Sequence, residues 1–244
     1  MEKTKEIIKR APAKMRPMLE SVYEFNSKFI LDKEQEKLLE RTLFSIQQID
    51  RKLFVKDEQR AYDDNALDIG AGQTISQPST VSRMILLAEV EESDDVLEVG
   101  TGSGWNACLL AFLAYPGNVS SVERINLLKE KAEANVAKLR GYLKEKAPKD
   151  FQKLSRLNFY AENIFEAGKV WKKTYDKIIF TAGISSTQEE KKVEELASQL
   201  LKQGGILICP KLSGPLLIIK KDKGLKKIET KEEYVFVPLI GMKE

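Results

Sequence analysis

A chain of 244 residues, 42% hydrophobic and 32% charged, suits one globular domain with a full core and leaves room for an appendage. Its 40 basic and 37 acidic residues leave a net charge of +3, which gives no electrostatic case for a nucleic-acid or membrane-surface partner. No apolar run approaches the roughly 20 residues of a membrane span, and the charged start Met1-Glu2-Lys3-Thr4-Lys5-Glu6 has no apolar core behind it, so neither a spanning helix nor a secretory leader is expected.

The first 50 residues read as a helical extension, with residues 51–244 as the main domain. A helix is expected over roughly Lys14 to Lys28, its start blurred by Pro12 and Pro17; a second begins after Asp32, where Leu39, Leu43, Ile46 and Ile49 recur at helical spacing. Phe54 to Gly72 lacks a clean period and reads mostly as loop, and Pro78 to Ala88 as a helix with proline in its first turn. Apolar strands and helices then alternate. Strands are expected at Asp95–Val99, Val119–Val122, Leu157–Tyr160, Lys177–Phe180 and Ile206–Cys209, and helices at Trp105–Tyr115, Asn126 to about Leu139 and Gln188–Leu201. This is the pattern of an α/β fold with a doubly wound, mostly parallel sheet. Near the C-terminus Leu216–Ile219 and Tyr234–Leu239 have no helix between them and predict an antiparallel pair at the sheet edge. Arg140 to Ser155, with Gly141 and Pro148 among lysines, reads as a surface insertion carrying a short helix of its own.

The chain contains no histidine. Ser-His and Cys-His nucleophilic machinery, histidine zinc sites and the commonest general base near neutral pH are therefore excluded, and no metal site is expected. Cys108 and Cys209 both lie in apolar runs and read as buried thiols, with the cytoplasm as the expected address.

Against that background the run Glu98-Val99-Gly100-Thr101-Gly102-Ser103-Gly104 stands between a strand and a helix. Three glycines let the backbone turn sharply and admit a ligand without meeting a Cβ. A tight strand-to-helix turn alone would explain them. The spacing, however, is G-x-G-x-G, where dinucleotide sites use G-x-G-x-x-G to receive a pyrophosphate on a helix N-terminus. S-adenosylmethionine has no phosphate and needs only cleared space. Glu123, about 20 residues past the glycines at a strand end, is placed to accept from ribose hydroxyls. Glu162, after a later strand, is a candidate acceptor for an adenine amino group, and Glu98 either orients the ligand or caps the loop amides.

Four segments carry a family resemblance. The run Ala61-Tyr62-Asp63-Asp64-Asn65-Ala66-Leu67-Asp68-Ile69-Gly70-Ala71-Gly72-Gln73-Thr74-Ile75-Ser76-Gln77-Pro78, with its Gly72-Gln73-Thr74-Ile75-Ser76-x-Pro78 core, resembles the signature of protein-L-isoaspartate O-methyltransferases. Val96 to Trp105, Tyr175 to Ala182 and Val235 to Leu239 are similar to the same family in the same order, so the resemblance runs from about Leu38 to the C-terminus. It implies a Rossmann-like class I methyltransferase that transfers a methyl group from S-adenosyl-L-methionine to the α-carboxylate of L-isoaspartyl residues in damaged proteins and peptides. It also implies catalytic roles for Ser76 and Thr74. The implied cofactor-binding set is Ile75, Glu98, Gly100, Thr101, Gly102, Ser103, Gly104, Glu123, Glu162 and Asn163. The missing histidine then fits the chemistry: an isoaspartyl carboxylate, with a pKa of about 4 or below, is already an anionic nucleophile and needs alignment rather than a base. Ser76 would orient it as a hydrogen-bond donor; its plainer alternative is an N-cap ahead of Pro78.

Three departures from the family pattern touch the site. Ser79 stands where members often carry histidine or an aromatic residue, Ala161-Glu162-Asn163 replaces the usual Gly-Asp-Gly, and Gly183-Ile184-Ser185-Ser186 lacks the expected proline-bearing stretch. The alternatives left open are a methyltransferase of this fold acting on RNA or another carboxylate, and a silent binding or adaptor protein. A nicotinamide-dependent dehydrogenase is disfavoured by the glycine spacing.

Overall fold

A computed structural model of the chain describes residues 2–167 and 173–240. The extension folds as α1 (Glu2–Arg10), α2 (Arg16–Asn26) and α3 (Lys33–Gln48). Asp32 is the N-cap of α3, its carboxylate accepting from the Gln35 amide at 2.9 Å. Leu39, Leu43 and Ile46 on α3, and Ile49 just past it, are buried. The stretch from Phe54 to Gly72, expected mostly as loop, follows a 3-10 turn at Arg51–Phe54 and holds another at Glu58–Arg60, but it also contains a short strand, β1 (Leu67–Gly70). β1 pairs antiparallel with β2 (Gln73–Ile75), and α4 (Pro78–Ala88) follows.

Next come β3 (Val96–Val99), α5 (Trp105–Ala114), β4 (Val119–Glu123), α6 (Asn126–Lys146), α7 (Pro148–Phe151), β5 (Leu157–Ala161), α8 (Ile164–Ala167), β6 (Tyr175–Phe180), α9 (Thr187–Leu200) and β7 (Leu201–Pro210). The chain closes with β8 (Ser213–Gly214), β9 (Leu216–Lys221), β10 (Leu225–Glu229) and β11 (Tyr234–Val235). Seven strands form one sheet in the order β10-β9-β7-β6-β3-β4-β5. The five from β7 to β5 are parallel, and β9 and β10 are antiparallel. Parallel strands covered on both faces read as unbroken apolar runs, and β3 is buried at every position. Two buried clusters flank the sheet; the larger joins the extension to α4 and α5. Connections from β3 run outward to β4 and β5, then return so that β6 lies on the other side of β3. That reversal opens a crevice at the carboxyl ends of β3 and β6, where open α/β sheets bind ligands.

Two expectations are corrected. The helix expected to end near Leu139 continues to Lys146 through Gly141, so the supposed insertion is mainly two further turns of α6, followed by α7 and a 3-10 turn at Gln152–Arg156. Leu139 and Leu143 are buried on the same helix and extend its apolar stripe past the glycine. The antiparallel partner of β9 is not Tyr234–Leu239 but β10, Leu-Lys-Lys-Ile-Glu, exposed at every position. A strand wetted on both faces leaves no alternation to read. Tyr234–Val235 pairs instead with Ser213–Gly214 outside the main sheet, and the apolar residues after it border the crevice.

One fully buried cation ties these layers together. The Arg51 guanidinium donates to the carbonyls of Ala61 (2.9 Å), Asp63 (3.1 Å), Asn65 (2.8 Å) and Ser76 (3.2 Å). It lies 5.4 Å from the ring centre of Trp105, whose indole N–H donates to the Ile49 carbonyl. Burial pulls its pKa down to about 10, with Asp64 and Asp63 opposing, so it stays charged at neutral pH. Replacing Arg51 by alanine strands several buried carbonyls and should cost roughly 3 kcal/mol or more. Arg51→Lys should recover little of that, because one ammonium does not span four acceptors. Denaturant titration of the three proteins tests both outcomes.

Candidate active site

The crevice is a chain of connected compartments that share Thr74 as a wall. The first, about 620 Å³, runs along the ends of β3, β4 and β6 and is lined by Gly100, Gly102, Glu123, Glu162, Asn163 and Ala182, among others. The second, about 450 Å³, lies between the glycine loop and β2–α4 and touches Ile75, Ser76, Glu98, Thr101, Ser103 and Asn106. A third compartment, about 660 Å³, is bounded by Ser76, Gln77 and Thr80 on one side and residues 233–237 on the other.

The glycine loop is fastened by side chains from the neighbouring strands and helices. The Thr181 hydroxyl, just past β6, donates to the Gly100 carbonyl at 2.6 Å. A Cβ on Gly100 would stand 2.3 Å from that hydroxyl at a φ of +100°, so only glycine fits. The Gly102 amide donates to the Glu123 carboxylate at 2.9 Å, and the Asn135 side chain donates to the Ser103 carbonyl at 3.1 Å. Gly104 faces Ala132 of α6 and does not line the compartments; its part is to let α5 and α6 approach. The other expected site residues meet at the crevice.

Four acids were singled out by sequence or structure, and they behave differently. Glu123 accepts from the Gly102 amide with one oxygen and from the Ile125 amide (2.9 Å) with the other, leaving lone pairs on both beside the first compartment. Glu162 is exposed at the same compartment's edge. Asn163, next to it, accepts from the Phe165 amide at 3.2 Å and opens α8, so its side chain also holds a turn. Glu98 is fully buried and bonded to Ser121 and Asn106, and burial pushes its carboxyl up to about 8. Asp64 accepts from the Ser79 backbone amide (2.9 Å), the Ser79 hydroxyl and the Gln77 side-chain amide (3.2 Å). Ser79, the unusual residue in the signature, thus ties the start of α4 to the Asp64 loop.

Ser76 does not cap α4: Gln77 holds the N-cap position and Asp64 takes its amide donor from outside. Among the described residues the hydroxyls of Ser76 and Thr74 have no protein partner, so both are available to a ligand where the compartments meet. Sequence reasoning missed Arg51, Ser121 and Asn106. A serine pair inside the buried strand Val-Ser-Ser-Val-Glu was the available signal for Ser121; nothing in the sequence marks Arg51 as buried.

A carboxyl whose pKa is raised by folding stabilises the fold fully below its unfolded value of 4.5, and that contribution is lost as pH rises through about 8. Thermal melts should show wild-type stability falling between about pH 5 and pH 9 more steeply than that of Glu98→Gln, whose side chain does not titrate. Parallel curves would remove the buried titration.

The model of the family described as Protein-L-isoaspartate(D-aspartate) O-methyltransferase (PCMT) matches residues 26–244. A protein-L-isoaspartate O-methyltransferase of Pelodictyon phaeoclathratiforme is 37% identical over 212 residues, covering 83% of this chain and 84% of that one. One from Ignicoccus hospitalis is 37% identical over 213 residues, covering 80% and 87%. The fold is similar to that of a Plasmodium falciparum protein assigned to the same activity and crystallised with S-adenosyl-L-homocysteine, with a TM-score of 0.66 at 23% identity over 90% of this chain and 96% of that one. The resemblance carried by the four sequence segments is therefore borne out over most of the chain, which belongs to the protein-L-isoaspartate (D-aspartate) O-methyltransferase family.

Proposed function

We propose that the protein methylates the α-carboxylate of L-isoaspartyl residues in damaged proteins and peptides, using S-adenosyl-L-methionine. The observation that carries this reading is the meeting of two unlike compartments at Thr74: an acid-lined cleft and a groove walled by unpaired hydroxyls. The donor set of the cleft suits the cofactor. Glu123 and Glu162 offer acceptors to ribose hydroxyls and an amino group, and among the described residues Arg124 is the one basic residue lining it. The residues that would hold the cofactor are Ile75, Glu98, Gly100, Thr101, Gly102, Ser103, Glu123, Glu162 and Asn163, with Gly104 supporting the loop from behind.

When bound, the cofactor supplies an electrophilic methyl group on a sulfonium. The protein's share is alignment and water exclusion. Ser76 and Thr74 donate hydrogen bonds to the acceptor carboxylate and fix its oxygen at the junction of the compartments. No proton has to be removed, because that carboxylate is ionised at neutral pH, which suits a chain without histidine. The helices of residues 1–50 serve as a layer of this unit, since they share the buried cluster of α4 and α5. No helix among the described residues is long and apolar enough to cross a membrane; damaged cytoplasmic proteins are the substrates proposed.

Radiolabelled methyl transfer should reach an isoaspartyl peptide and not its aspartyl counterpart. Cofactor binding without such transfer would point to another acceptor or to an adaptor, and no S-adenosyl-L-homocysteine binding by calorimetry would overturn the methyltransferase assignment itself. Ser76→Ala should lower kcat by about tenfold or more while leaving S-adenosyl-L-homocysteine affinity within a few-fold; equal losses would assign Ser76 to the cofactor. Gly102→Asp should abolish that binding, since it places a charged side chain in the cleft from a backbone at φ +54°.

A further inference from the structure

Beneath the glycine loop a line of polar side chains crosses the sheet. Asn106 of α5 donates to one oxygen of Glu98 at 2.8 Å. Ser121 of β4 shares a short hydrogen bond with the other oxygen, and the Thr101 hydroxyl lies 2.6 Å from the same Ser121 hydroxyl. Glu98 and Ser121 are fully buried, whereas Thr101 borders the second compartment. We propose that Ser121 is a positioning residue, which sets whether the Thr101 hydroxyl offers a donor or only lone pairs to the cofactor cleft. This rests on the function proposed above, which makes that cleft the binding place of the cofactor.

Counting donors gives the argument. The Glu98 oxygen facing Asn106 already receives an N–H, so a carboxyl proton belongs on the oxygen facing Ser121. In that state the carboxyl donates to Ser121, Ser121 donates to Thr101, and the Thr101 O–H is left to donate into the cleft. When Glu98 is ionised, Ser121 must donate to the carboxylate and Thr101 must donate to Ser121. The proton lost goes to solvent, and the cleft then meets only lone pairs on Thr101. A ligand that presents a carboxylate to this rim gains from the first arrangement and loses the bond in the second.

Burial and the Glu123 charge favour the first arrangement, against the pull of the Ser121 and Asn106 hydrogen bonds toward the second. The titratable groups facing Glu98 are Glu123 of β4 and the Cys108 thiol of α5, and β6 presents the apolar Ile179 opposite. Each of these neighbours either opposes a further negative charge or does nothing to compensate it, and burial pushes the carboxyl up to about 8.

The test is calorimetric binding of S-adenosyl-L-homocysteine across about pH 6.5 to 9 to wild type, Glu98→Gln and Ser121→Ala. Titration of the ligand's own amine is common to all three proteins and cancels in the comparison. Wild-type affinity should weaken by about tenfold more than that of Glu98→Gln between pH 7 and pH 9. Ser121→Ala should flatten the profile in the same way and bind about three- to tenfold more weakly than wild type at pH 7. A Ser121→Ala protein with the wild-type profile, or a wild-type profile as flat as that of Glu98→Gln, overturns the proposal. If circular dichroism shows Glu98→Gln unfolded, the comparison of wild type with Ser121→Ala decides alone. No binding by wild type at any pH would instead overturn the proposed function, and this inference with it.

Discussion

The Arg51 guanidinium, fully buried and donating to four carbonyls, is the contact on which the geometry of the crevice depends. Three of its acceptors fix the loop before β1, and the fourth is the carbonyl of Ser76 itself. Its central carbon lies over the ring of Trp105, the first residue of α5 and the end of the glycine loop. The acceptor wall and the cofactor loop come from segments far apart in sequence, and this one planar cation refers both to the same point. A buried charge left unpaired is costly, so the arrangement is stable only when the surrounding carbonyls are all in place.

A second constraint follows from composition. Without histidine the commonest general base near neutral pH is missing, and an isoaspartyl carboxylate, already ionised, has no need of one. The polar side chains of the crevice accordingly orient and fasten rather than move protons. Thr181, Glu123 and Asn135 each hold one backbone group of the glycine loop, so the loop is set before any ligand arrives. Preorganisation of this kind is where an enzyme gains when the reaction needs alignment above all.

Much of this was legible in the sequence because the physics is local. Asp32 caps α3 as its position promised, and the apolar runs of the parallel strands stand out because both faces are covered. The glycine loop and the Thr74–Ser76 segment were found by spacing and by family signature. What escaped depends on partners far away in the chain. Arg51 looks like any cation after a helix, and only the fold supplies the four carbonyls that bury it. β10 carries no alternation since both its faces are wet, and the extension of α6 was hidden by Gly141 and the lysines around it. Ser79, read as a departure bearing on ligand contacts, proved to be tied to Asp64 at the start of α4.

Thr74 and Val237 each line both the cofactor cleft and the groove beyond it. Two ligands that share walls are coupled wherever one of them shifts those side chains. Whatever one occupant does to the position of those side chains changes the affinity of the other by a factor that must be the same in both directions. If the two compartments hold the cofactor and the acceptor as proposed, any coupling carried by this threonine and valine needs no moving domain between them.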